Sequence, residues 1–244
     1  MTYLLAIALW FASSLTYADT LIIGTSADSP PFASLADGKN HFYGFEIDIM
    51  LEVCTRIQAT CEFKPTLVSK LSDSILKGKI NLAVAAIILP SSPLKGLIFS
   101  LPYYTSNGQF ITLAQSSINN LEDLRNKKIG VRQGTLYKGN LFKDLILAMF
   151  DNQLNVIEYP NTSDLMLALT NGDVDADFSN EQTMKYWYTN NTNLFRLVGN
   201  KIPIGNGYAI MAKEGEEALI KNINHALINM ESDGSYLKIY KRYF

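Results

Sequence analysis

Leu82-Ala83-Val84-Ala85-Ala86-Ile87-Ile88-Leu89 is an unbroken apolar run of the kind that fits a strand covered on both faces. Upstream, Leu71 to Lys77 reads as a short helix and Cys61-Glu62-Phe63-Lys64 as a strand. Met50, Val53, Cys54 and Ile57 share one helical face. Pro30-Pro31 makes a rigid turn after a strand at Leu21–Gly24, because proline fixes φ and has no N–H. Downstream, strands are predicted at 110–113, 128–131, 155–159, 174–178 and 208–211. Helices are predicted from Gly134-Thr135 to about Met149, from the Thr162-Ser163-Asp164 cap to Leu169, and near 182–188. Gly172 ends the second of these. A long amphipathic face follows at 218–230, then a break at Asp233-Gly234 and a last short helix. Strands alternating with helices imply an α/β fold with parallel sheets between helical layers.

Composition narrows the function. The 244 residues are 48% hydrophobic and 18% charged, an ordinary globular balance. The net charge of −2 lacks the basic footprint of a nucleic-acid binder. Residues 1–18 carry no Lys, Arg, Asp or Glu, are almost wholly apolar from Leu4 to Leu15, and end in Thr16-Tyr17-Ala18. That pattern predicts a cleaved signal peptide over 1–18, with an uncleaved anchor as the alternative. Cys54 and Cys61 are the only cysteines. Export favours a disulfide over two buried thiols. Seven helical steps would hold the Cα atoms about 10 Å apart, so a bridge requires the helix to stop between them. His41 and His225 stand outside any ligand-spaced motif, so neither a metal nor a cofactor is expected.

Several short motifs occur together and in order. They are Pro30-Pro31-Phe32, Gly44-Phe45-Glu46-Ile47-Asp48-Ile49, the cysteine pair, and Phe99-Ser100-Leu101-Pro102-Tyr103-Tyr104. Lys128-Ile129-Gly130-Val131, Gln133-Gly134-Thr135, Asn171-Gly172-Asp173-Val174-Asp175-Ala176 and Asp233-Gly234-Ser235-Tyr236 continue them. With these motifs the chain resembles the amino-acid-binding family of periplasmic solute-binding proteins (family 3, arginine/histidine/glutamine type), the partners of ATP-driven importers. The resemblance implies a two-lobed type II periplasmic-binding-protein fold with a discontinuous first lobe, residues 19–107 plus 205–244, and a second lobe at 108–204. Two strands near 105–109 and 201–205 would form the hinge. It also implies a periplasmic monomer that is not an enzyme, receives a small polar solute and delivers it to a membrane permease.

The implied pocket residues are Ser29, Val68, Ala85, Ala86, Thr135, Leu136 and Asn180. Two of the family's charged clamps are missing. Pro93 stands where an Arg would pair with the ligand carboxylate, with Lys95 the nearest cation, and Asn180 stands where an Asp would take the ammonium. Breaking a buried charge pair costs roughly 3–5 kcal/mol. An α-amino acid is therefore not expected to bind in the family's manner; a less charged solute, or an amino-acid derivative in another pose, fits better. An adaptor or sensor that has lost binding is one alternative. A dehydratase-like enzyme is another, with Glu181 the only carboxylate to nominate as its acid.

Overall fold

The computed structural model describes residues 20–36, 41–134 and 141–244. In chain order the strands are β1 (Thr20–Thr25), β2 (Asp28–Ser29), β3 (Ala33–Ala36), β4 (His41–Tyr43), β5 (Thr60–Pro65), β6 (Leu82–Ala83), β7 (Leu97–Phe99), β8 (Asn107–Leu113), β9 (Lys128–Arg132), β10 (Asn155–Tyr159), β11 (Ala176–Asn180), β12 (Phe195–Pro203) and β13 (Met211–Lys213). The helices are α1 (Phe45–Arg56), α2 (Leu71–Leu76), α3 (Leu141–Met149), α4 (Thr162–Asn171), α5 (Glu181–Asn190), α6 (Glu217–Ser232) and α7 (Ser235–Tyr243). The signal-peptide expectation lies outside the described residues.

Two five-stranded sheets carry the fold, ordered β5-β1-β6-β13-β7 and β10-β9-β11-β8-β12. In the first, β1 runs parallel to β5 and β6 while β13 runs antiparallel to β6 and β7. In the second, β9 runs parallel to β10 and β11, and β8 runs antiparallel to β11 and β12. A small antiparallel sheet, β2-β3-β4, flanks the first. The chain leaves the first sheet after β7 and returns to it after β12. Those two connections pair with each other: Pro203 opposes Asn107, the Ile204 amide donates to the Ser106 carbonyl (3.1 Å), and Tyr208 bridges Tyr104. This is the two-strand hinge that the resemblance implies.

Aromatic rings fill the space beneath that hinge. Tyr104 stacks on Tyr208 with centroids 6.2 Å apart, and Phe32, Phe45 and Phe244 pack edge-on or tilted around them. The C-terminal helix α7 closes the cluster through Tyr236 and Tyr240. Tyr103 and Tyr104 are thus held by packing, and the Tyr103 hydroxyl donates to the Glu46 carboxyl.

The run at 82–89 departs from its expected form. Only Leu82 and Ala83 belong to a strand. The strand ends at Ala83, φ turns positive at Ala86 (+48°), and 84–88 stay buried. Burial alone explains the apolar sequence; continuous sheet pairing is not needed. Likewise 208–211 is strand only from Met211, because the Tyr208 backbone is engaged at the hinge. Strand β11 lies two residues later than expected. Strand β12 has no counterpart among the expected strands; its register shifts between Val198 and Ile202, which spoils the alternation that would betray it. Helix α4 is capped by Asn161, whose Oδ1 accepts from the Asp164 amide (2.8 Å), and Gly172 ends it in the left-handed region.

The cysteines form a disulfide with Cα atoms 6.0 Å apart. Helix α1 stops at Arg56, and Cys61 returns on β5, meeting the geometric condition stated above.

Candidate functional site

Between the carboxyl ends of β1 and β9 lies a cavity of about 380 Å³. Open α/β sheets present such ends to ligands. Its walls are residues 26–28 and 65–68 on the first-sheet side, and Arg132, Pro160, Asn161, Ser163 and Asp164 on the second-sheet side. Three direct contacts join the two sides. Ser29 Oγ lies 3.2 Å from Thr162 Oγ1, Arg132 Nη1 donates to Ser29 Oγ (2.9 Å), and the Ser163 amide donates to Asp28 Oδ2 (2.7 Å). The last bond places a carboxylate against the N-terminus of α4, where the helix dipole favours it. Glycine at 134 lets the two sides approach: its φ is +144°, and a Cβ there would press into Val68.

Arg132 is the last residue of β9 and is 4% exposed. Burial pulls its pKa below the ordinary guanidinium value, while the negative charge of Asp28 pulls it back up. Among the described residues it is the only cation lining the cavity. Behind it, Glu46 is wholly buried in the first turn of α1. Its Oε1 accepts from the Ala86 amide (2.6 Å) and from the Tyr103 hydroxyl, and its Oε2 has no partner among the described residues. Burial raises the Glu46 pKa from 4.5 to about 7, and the Tyr103 and Ala86 hydrogen bonds and the Arg132 charge oppose the rise.

The expected pocket residues separate into three groups. Ser29 and Val68 stand at the junction of the two sides, Ser29 buried under Arg132 and Val68 on the cavity wall. Ala85, Ala86 and Asn180 are buried farther in: the Ala86 amide is engaged by Glu46, and Asn180 Oδ1 accepts from the Tyr208 hydroxyl (3.1 Å). The Asn180 amide nitrogen has no partner among the described residues. Thr135 and Leu136 lie outside the described residues. Pro93 and Lys95 are exposed, and neither lines the cavity.

Sequence reasoning passed over Arg132, Asp28 and Asp164. The signal for Arg132 was present: an arginine at the carboxyl end of a predicted parallel strand, two residues before a glycine turn.

Residues 21–244 match the bacterial extracellular solute-binding proteins, family 3. The chain belongs to this family. A putative ABC transporter arginine-binding protein 2 of Escherichia coli K12 is 28% identical over 238 residues, covering 96% of this chain and 94% of that protein. The crystal structure of an arginine 3rd transport system periplasmic binding protein from Legionella pneumophila is 38% identical, with a TM-score of 0.85 over 93% of this chain and all of that one. An ancestral arginine-binding protein bound to arginine is 29% identical, with a TM-score of 0.82 over 92% and 98% of the two chains. As a family 3 protein the chain has the two-lobed fold. No helix among its described residues is long and apolar enough to cross a membrane.

Proposed function

We propose that this family 3 protein is a periplasmic receptor that closes on an amino acid or a close derivative and presents it to an ABC-type permease. The observation that carries the reading is the cavity of about 380 Å³ between the two sheets, with a buried guanidinium in its wall. Hinge closure around a solute fits this geometry, since the walls come from opposite sides of a two-strand connection. The relatives' names point to arginine and other cationic amino acids, and Asp28 and Asp164 on the cavity walls suit a solute with a cationic end. Residues 19–107 with 205–244 would move as one lobe and 108–204 as the other. The receptor would act as a monomer and catalyse nothing.

Thermal-shift titration of the purified protein against the common L-amino acids, opines, small peptides and polyamines tests the reading. A true solute raises the melting point steadily with concentration, by mass action. No shift with any of them up to millimolar concentration, alongside capture of a membrane protein, would favour the adaptor reading instead.

A further inference from the structure

We propose that Arg132 is the carboxylate-binding residue of this cleft, so that the solute's carboxylate is held from the carboxyl end of β9 and not from the 90–93 turn of the first lobe. The proposal rests on the reading of the cleft as an amino-acid site and specifies its chemistry. At 90–93 the chain reads Pro-Ser-Ser-Pro; Ser91, Ser92 and Pro93 are exposed, and so is Lys95. Among the described residues no cation of that turn lines the cavity. On the opposite wall Arg132 is 4% exposed, lines the cavity, and is fixed by its bond to Ser29 Oγ.

The chemistry of exchange favours an anion there. Ser29 also lies within hydrogen-bonding distance of Ser26 and Thr162, so its hydroxyl has other partners when a ligand competes for Arg132. Replacing the neutral hydroxyl acceptor by a carboxylate makes both partners of the bond ionised, so that a charge–neutral hydrogen bond becomes an ion pair. The planar guanidinium accommodates both carboxylate oxygens in a fork, which a lysine cannot do. A second anionic group would face Asp28 and Asp164 across the same space. The ligand class is therefore a monocarboxylate with a neutral or cationic remainder, gripped from the second lobe.

The test compares the amino acid that the full chain binds most tightly, L-arginine being the first probe, with the amine left when its carboxylate is removed, agmatine for arginine. Calorimetric titration of the unaltered protein is expected to show the amine binding at least about tenfold more weakly. In Arg132→Gln the amino acid should lose at least about tenfold in affinity while the amine changes little, so that the two converge. Arg132→Lys, which keeps the charge and loses the fork, should fall between. Three results would overturn the proposal: equal binding of acid and amine by the unaltered protein, undiminished amino-acid binding by Arg132→Gln, or an equal loss for both probes, which marks a structural role. The first comparison needs no variant to fold. If the unaltered protein binds none of the amino acids, opines, small peptides and polyamines, the receptor reading fails and the proposal with it; if it binds one of them and any of the three results is obtained, the receptor reading stands and only the assignment of Arg132 falls.

Discussion

At the scale of single residues, the buried carboxyls set the pH behaviour. Glu46 has a pKa near 7 in the folded protein against 4.5 as its reference. Asp177, buried on β11 with both oxygens lacking a partner among the described residues, is pushed up as well. Between pH 4.5 and about 7 the folded state keeps a proton that the unfolded chain releases. Stability therefore falls as pH rises through that window, by about 3 kcal/mol from Glu46 alone. Glu46→Gln retains an oxygen to accept from Ala86 and Tyr103 and cannot titrate. Its stability, measured by urea unfolding at several pH values, should vary less with pH than that of the parent; an equally steep slope would locate the effect elsewhere, Asp177 being next. Glu46 was legible only as part of a motif. Its burial comes from the turn at Ala86, forty residues away in sequence.

At the scale of elements, α1 and β5 are joined covalently. Cys54–Cys61 closes a small loop, and loop-closure entropy assigns it about 2–3 kcal/mol. Cys54→Ser/Cys61→Ser should lower the melting point by several degrees while leaving the α/β circular dichroism intact; an unchanged melting point would mean that packing of α1 already restrains the unfolded chain. Helix α4 depends on its cap. Asn161→Ala removes the acceptor for the Asp164 amide and should cost about 1 kcal/mol in denaturant unfolding. The cost should exceed that when ligand is present, because the same turn carries Thr162 and Ser163 to the opposite lobe. Periodicity disclosed α1 and α6 well, since each buries one face. It failed for the 82–89 run and for β12, where an irregular backbone hides the pairing.

For the whole molecule, closure rests on a few polar contacts across the cleft. The Asp28–Ser163 bond is charge-assisted, a class worth about 1.5–3 kcal/mol. Asp28→Ala should raise the open fraction of the ligand-free protein about tenfold or more. Small-angle scattering would then report a larger radius of gyration, and saturating ligand should restore the smaller one. An unchanged radius in the ligand-free variant would show that the hinge packing, not the cleft bonds, holds the lobes together.

The sequence by itself determined the α/β class, through apolar period and turn residues, and the family resemblance, through motif order; that resemblance implied two lobes and placed Pro93 where an arginine is expected. Only the tertiary structure decided which charges face the cavity. Arg132, Asp28 and Asp164 lie on separate segments of both lobes, and their meeting is a property of how two sheets are set against each other across a hinge. Local pattern tells whether a side chain leaves its own element inward or outward. It does not tell what stands opposite.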